Sequence, residues 1–550
     1  MDADGEARSI EARRKRALVF GIVVASALIS GLLRLPYLSV PLERDEGEYA
    51  YIAQRLAHGD VVYRDAFDQK PPGIFAAYRV AFALFGASVE GIHLFLHVWT
   101  VLSALALFLL VRDLAGSLAA AFAVLALGIW TADPRIVALA ANTEMFMIFP
   151  LLASTLCLVR ALADGGARWW IACGAAAAAA CWFKQVAATQ LVFVLGAALW
   201  GPGVGGASRA ISRTLRAWGL LGAGVALFSV PVLGVLAWSG AFGAFLDAVL
   251  LHNFAYSSSL TPGEGWARLR GALTHQAPSF WVLWLLAAPA LCWPGLTGRR
   301  TWAVLAGFFV SSALGTCIGF YFRPHYFVQV LPALCGSAGI GLGVLAGRFL
   351  VGARPTLAWL AVCCAVAAVA TPPLLANRDT HWAGSPTAIA RRIYGINPFP
   401  EALRIGEHIR RTSEPDESVY IVGSEPEILF YAERRSATRY IFFYPLTGSL
   451  PGVLDRQREV VAEIERSRPR YVVWVNLTTS LPVGHHTERH VFEATAALLA
   501  REYELEFVAH PVDADSEYQF SYGAEGRWLL RAAGARAGET PWIAVYRRTS

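Results

Sequence analysis

Between residues 17 and 377 one long apolar run follows another, and a chain written this way has few folds open to it. About 20 consecutive apolar residues cross a bilayer as a helix, because with no water at hand each segment must satisfy its own backbone polar groups. Such runs lie near 17–38, 90–111, 116–133, 145–163, 168–183, 186–201, 216–239, 280–297, 301–320, 325–347 and 355–376. They predict about eleven transmembrane helices, with the further run 71–86 lying along the interface rather than spanning. Charge placement supports the count. If Arg13, Arg14, Lys15 and Arg16 are cytoplasmic, the alternate loops carry Arg112, then Arg160 and Arg168, then Arg209, Arg213 and Arg216, then Arg299 and Arg300, then Arg348 and Arg354. An odd number of spans places the C-terminal part outside. The first run, ALVFGIVVASALISGLLRL, is too long for a signal-peptide core and no A-x-A-like site follows, so it reads as a retained anchor.

Composition divides the chain. Charged residues make up 16% of it, against roughly 25% in soluble proteins, and the shortfall falls within 17–377. A cytoplasmic tail (1–16), a transmembrane domain (17–377) and a small extracytoplasmic α/β domain (378–550) are expected. In the last of these, EALRIGEHIRR, EPEILFYA, VLDRQREVVAEIERS and VFEATAALLAREY read as helices. SVYIVGS, RYIFF, YVVWVN, YELEFVAH, RWLLRAA and WIAVYRR read as strands. The alternation predicts a mainly parallel sheet. There is no GxGxxG loop or P-loop, hence no nucleotide site, and no internal repeat of the kind that builds many transporters. The net charge of +6 comes with no basic aromatic patch, which excludes nucleic acid as a partner. All eight Cys fall in apolar segments, so neither a disulfide framework nor a Cys-type zinc site is expected.

The predicted outer loops are 39–89, 134–144, 184–185, 240–279 and 321–324, and they hold the unusual polar residues. The first gathers Arg44, Asp45, Glu46, Glu48, Arg64, Asp65, Asp68, Gln69 and Lys70. Residues 45–58 form a plausible helix ended by Gly59, with an apolar stripe of Tyr49, Ile52, Ala53 and Leu56 laid on the membrane interface. Asp45-x-x-Glu48 has the spacing of a capping box; a capping carboxylate and a catalytic one are compatible roles. Lys70 precedes two prolines that stiffen the backbone, and a point cation at headgroup height suits a lipid phosphate, or simply snorkels. Asn142, Thr143 and Glu144 precede a membrane helix that Thr143 is placed to cap. Lys184 is costly within a bilayer; at an outer turn it faces the same cavity as Lys70. His252, Asn253 and Tyr256 lie in the fourth outer loop, and Arg323 and His325 at an outer helix start.

Taken in order, RDEGEYAYIAQ, DQKPPG, ANTEMF, RPHYFVQVLP and YIVGSEPEILFYAERRSATRY resemble the GT-C class of membrane glycosyltransferases. Within it the chain looks like glycosyltransferase family 39, which covers the dolichyl-phosphate-mannose protein mannosyltransferases and the lipid A aminoarabinose transferases. The resemblance implies a polyprenyl-phosphate sugar donor, an outer-face reaction, and a catalytic acid at Asp45 with Glu46 beside it. It puts Lys70 on the donor phosphate, with Glu144, Lys184, Arg323 and His325 as further carry-overs. His93 stands where relatives often carry Arg.

The function expected is transfer of a sugar from that donor to a glycan, lipid or protein acceptor outside a bacterial inner membrane. Lys70, Lys184 and Arg323 meet the leaving phosphate, while Asp45 takes the acceptor proton or steadies an oxocarbenium-like sugar. Arg44, Glu48, Tyr49, Asp68, Asn142 and His252 complete the candidate site. No cofactor is required by the chemistry, although the acids at 45 and 46 leave room for a divalent metal. The alternative is a transporter or flippase for a lipid-linked saccharide, which calls for ionisable residues near the bilayer midplane; the charges here crowd the loops.

Overall fold

Each of the eleven apolar runs is helical over most of its length in a computed structural model that describes residues 3–200, 207–350, 355–447, 452–484, 487–513, 517–534 and 541–549. The chain starts with α1 (Ala3–Arg34), so residues of the expected tail continue the first helix. Two helices of the first long loop follow, α2 (Arg44–Ala57) and α3 (Gly73–Phe85). Then come α4 (Val89–Ala115), α5 (Ser117–Trp130), α6 (Thr143–Asp164), α7 (Ala167–Phe183), α8 (Ala188–Ala197) and α9 (Ala207–Trp238). Helices Pro262–Cys292, Arg299–Cys317, Leu331–Leu350 and Pro355–Ala376 complete the helical part. Among the described residues six helices are long and apolar enough to cross a membrane on their own. Arg354 and the side chains of Arg209 and Arg348 lie outside the described residues.

The packing shows why water is the wrong solvent for this part. Only 17% of the apolar window of α9 and 22% of that of α1 is buried, leaving Leu227, Val230 and Val235 exposed. An apolar surface this extensive belongs in lipid. By contrast α5, apolar all round, is buried from Leu118 to Trp130 and forms the core that α1, α4 and helix Leu331–Leu350 surround. At its C-terminal end Arg34 of α1 is buried, donating to the Thr131 carbonyl (2.9 Å), the Gly128 carbonyl (3.2 Å) and Ser30 Oγ (2.6 Å). The negative end of the α5 dipole offsets this cation without a carboxylate. At about 1.5 Å per residue, the 13 residues of α3 reach about 20 Å, short of the ~30 Å hydrocarbon core.

The C-terminal region is a six-stranded sheet with helices. Its strands are β1 (Ser418–Val422), β2 (Arg435–Ser436), β3 (Tyr471–Asn476), β4 (Tyr503–His510), β5 (Gln519–Tyr522) and β6 (Trp542–Arg548), in the order β2-β1-β3-β6-β4-β5. The expected mainly parallel sheet is a mixed one. Only β1–β2 and β1–β3 run parallel, because β6 inserts antiparallel between β3 and β4. Two expected strands are absent. RWLLRAA lies in helix Gly523–Gly534; three adjacent apolar residues carry no period that separates helix from strand. RYIFF forms no strand because its backbone pairs elsewhere: the Arg439 carbonyl accepts from the Phe67 amide (2.8 Å), and the Phe443 amide donates to Ser424 Oγ (3.0 Å). That segment joins the sheet region to the first loop.

Candidate active site

The site grows from the first turn of α2. Glu43, in extended conformation, is the N-cap, and its amide donates to Glu46 Oε2 (3.1 Å). The capping box is therefore Glu43–Glu46, not the Asp45–Glu48 pair read from spacing. Glu46 Oε1 also accepts from the Ala141 amide (2.6 Å) and meets His93 Nε2 at 3.1 Å. Glu46 is 2% exposed and occupied on every side, so it locks α2 against α4 and the segment before α6 instead of facing the cavity. His93, the departure from the resembled family, is its partner. With capping done by others, Asp45 and Glu48, three apart on one helix face, both turn into a cavity of about 340 Å³.

Lys70, Lys184, Arg323, His325 and His252 line the same cavity, and Arg44 stands at its wall. Lys70 Nζ lies 4.0 Å from Asp45 Oδ2 and 5.3 Å above the Tyr49 ring. Its backbone is pinned at both ends: the amide donates to Asp68 Oδ1 (2.7 Å) and the carbonyl accepts from Tyr63 OH (2.8 Å). Lys184 ends α7 in extended conformation, pairs with Glu144 and lies 4.0 Å above the Tyr326 ring. Glu144 accepts from Thr143 Oγ1 (2.8 Å) and sits 3.8 Å from His325 Nε2. The Thr143 hydroxyl is thus spent on Glu144, and Asn142, not Thr143, is the N-cap residue of α6. Among the described residues Arg323 makes no ion pair; it lies 5.8 Å over Tyr321, whose ring stacks on Tyr256 at 4.3 Å.

A second cavity of about 240 Å³ adjoins the first, sharing Gln69, Lys70, Lys184, Tyr256, Tyr321 and Tyr326. It adds Glu144 and the apolar Val249, Leu250, Phe254 and Ile318. The cations thus stand where a polar chamber meets an apolar one.

Tyr49, Asp68 and Asn142 do not reach either cavity. Tyr49 and Asp68 lie fully buried beneath Lys70, and Asn142 is 1% exposed with both amide atoms unpartnered among the described residues. Charge sets the protonation pattern. Burial alone would raise the Asp45 carboxyl, but Lys70, with Arg323 and Lys184 behind it, outweighs that and holds it down at about 2. Burial raises Asp68 to about 6 against the pull of Lys70, and raises Glu48 well above the carboxylate range, helped by the Asp68 charge. Burial thus favours the neutral form of both carboxyls.

The sheet region roofs the chamber with Phe442, Tyr444, Thr447 and Pro482. Arg44, next to the candidate acid, donates to the Ser424 carbonyl, to Tyr444 OH (3.1 Å) and to Glu425 Oε1 (3.0 Å). Beside it Gly47 meets helix Glu427–Ala432 so closely that a Cβ would lie 2.4 Å from Glu427 Cβ. Sequence reasoning missed Tyr444 and its neighbours, which nothing local marks. Tyr326 and Tyr321 stood inside the YFRPHYF run, where aromatics flanking two basic residues were the available signal. Among the described residues no three His, Cys, Asp or Glu side chains converge as metal ligands, and Lys70 holds the place beside Asp45 that a cation would need.

Residues 69–238 match the family of dolichyl-phosphate-mannose-protein mannosyltransferases. No curated protein matches the chain in sequence. Among solved structures, ArnT from Cupriavidus metallidurans bound to undecaprenyl phosphate aligns with a TM-score of 0.59 and 16% identity, over 96% of this chain and 97% of that one. The oligosaccharyltransferase AglB from Archaeoglobus fulgidus, with an inhibitory peptide and a dolichol-phosphate, aligns with a TM-score of 0.52 and 13% identity over 94% and 75%. The Archaeoglobus fulgidus oligosaccharyltransferase in complex with zinc and sulfate gives 0.51 and 14% over 92% and 73%. The chain is a multi-pass membrane protein with the fold of the GT-C glycosyltransferases, and the resemblance read from its motifs holds.

Proposed function

We propose that this protein transfers a sugar from a polyprenyl-phosphate donor to an acceptor at the outer face of a bacterial inner membrane. The observation that carries the reading is the meeting of Asp45 with Lys70, Lys184 and Arg323 in one chamber with an apolar annex. The lipid tail enters through the annex and the phosphodiester rests among the three cations. As the sugar–phosphate bond breaks, the leaving phosphate gains a second negative charge, and fixed cations stabilise that gain most. Asp45, ionised at any working pH, orients the acceptor hydroxyl and steadies positive charge on the sugar. A carboxylate held at about 2 is a weak base. It takes the proton late, after the attacking oxygen has bonded to the sugar and become strongly acidic. Glu46 stands outside this chemistry as a structural residue. The transferase domain (17–377) and the extracytoplasmic domain (378–550) meet at Arg44. No step is assigned to a metal, since among the described residues no three acidic, His or Cys side chains form a cage for one.

The test is transfer from labelled polyprenyl-phosphate sugar in membranes holding Asp45→Asn or Lys70→Ala. Full activity in folded variants overturns the assignment. Polyprenyl-phosphate sugar should also protect Lys70 from amine-reactive reagents, an effect that does not depend on the acceptor.

A further inference from the structure

On the far side of the Lys70–Gly73 turn, sharing no lining residue with the chambers above, lies an apolar groove of about 700 Å³. Helices α3, α4, α7 and α9 form it. The turn seals it from the reaction site: a Cβ on Gly73 would lie 2.4 Å from the Trp182 carbonyl, so chain meets chain without a gap. Asp60 and Val61, from the loop after α2, line it together with Trp99 and Phe228, which lie within helices long and apolar enough to cross a membrane. Two charged residues occur among those lining it, Asp60 and Arg79 of α3.

Their situations differ. Asp60 is already neutralised, 2.8 Å from Arg55 Nε and 3.5 Å from Arg435. Arg79 is half-buried, and among the described residues its side chain makes no ion pair, hydrogen bond or ring contact. A guanidinium presents a planar fork of donors that matches phosphate. An unpaired one beside a long apolar groove that opens to the bilayer fits a molecule with one anionic end and one hydrocarbon end. We propose that this groove holds an anionic phospholipid, its phosphate on Arg79 and an acyl chain along Trp99, Trp182 and Phe228. The lipid acts as a bound wedge between α3 and α9 and takes no part in transfer. The inference rests on the chain's place in a bilayer and not on the transferase reading.

The experiment is native mass spectrometry of the full-length protein, counting retained phosphatidylglycerol against phosphatidylcholine from equimolar mixed micelles. One interfacial cation is worth about 1 kcal/mol toward an anionic lipid, so the parent should prefer phosphatidylglycerol about five-fold. Arg79→Gln should abolish that preference, and Arg79→Lys should keep part of it. Ala76→Phe, which fills the groove from an exposed position, should lower retention of both lipids. Equal retention of the two lipids by the parent, or an unchanged preference in Arg79→Gln, overturns the proposal. If Arg79→Gln fails to fold, unaltered retention in Ala76→Phe overturns it instead.

Discussion

Two hollows lie on either side of one short turn, and they treat charge in opposite ways. In the chamber, Lys70 and Lys184 each face a carboxylate, and only Arg323 is free of an ion pair among the described residues. In the groove, Arg79 is the one cation among the described lining residues and makes no ion pair with any of the described residues. A chamber whose charges are already paired stays folded while empty and exchanges its partners during turnover. A lone charge against an apolar wall waits for a ligand that stays. The turn Lys70-Pro71-Pro72-Gly73 separates the polar chamber from the apolar groove with four residues.

Substitutions can break or sharpen this contrast. The largest effect is expected for Asp45→Asn, which should slow transfer by about 10²- to 10⁴-fold with folding intact, measured as initial rates in membranes. Lys184→Ala should instead cost stability, by about 3 kcal/mol or more, because it strands the buried Glu144 carboxylate; retention of folded protein after heating in detergent reports it. Arg44→Ala should lower transfer about ten-fold, of the order expected when a group near the chemistry loses its alignment, and should speed proteolysis between the helical and sheet regions. A smaller, pH-dependent effect belongs to Asp68. Its carboxyl holds a proton more tightly folded than unfolded, so its contribution to stability is present below its ordinary value of 3.8 and is lost as pH rises through about 6. Asp68→Asn does not ionise, so its melting temperature should gain on the parent's between pH 4 and pH 7. The smallest effect is the other arm of the comparison: Arg79→Gln should leave the transfer rate within two-fold while changing lipid retention.

Much of this was legible in the chain. The apolar runs became helices because length and hydropathy in a bilayer leave the backbone no alternative. The gathering of Asp45, Lys70 and Lys184 followed from placing two loops on one side. Capping was misplaced by two residues because Asp45-x-x-Glu48 and Glu43-x-x-Glu46 have the same spacing, and only the buried partners Ala141 and His93 decide between them. Asp68 and Tyr49, read as site residues, lie outside the cavity linings and against Lys70, a placement no local pattern specifies. The roof was invisible for a different reason: Tyr444 meets Arg44 across 400 positions of sequence, and no local pattern encodes a contact of that kind. The sheet's mixed order likewise depends on where the last strand inserts.

The latch on Arg44 ties the attitude of α2 to the sheet region. Its acceptors, Ser424, Glu425 and Tyr444, lie some 380 to 400 positions further along the chain. The helix that carries Asp45 is thus held from a distance, and a change in the sheet region can tilt that carboxylate without touching the chamber floor.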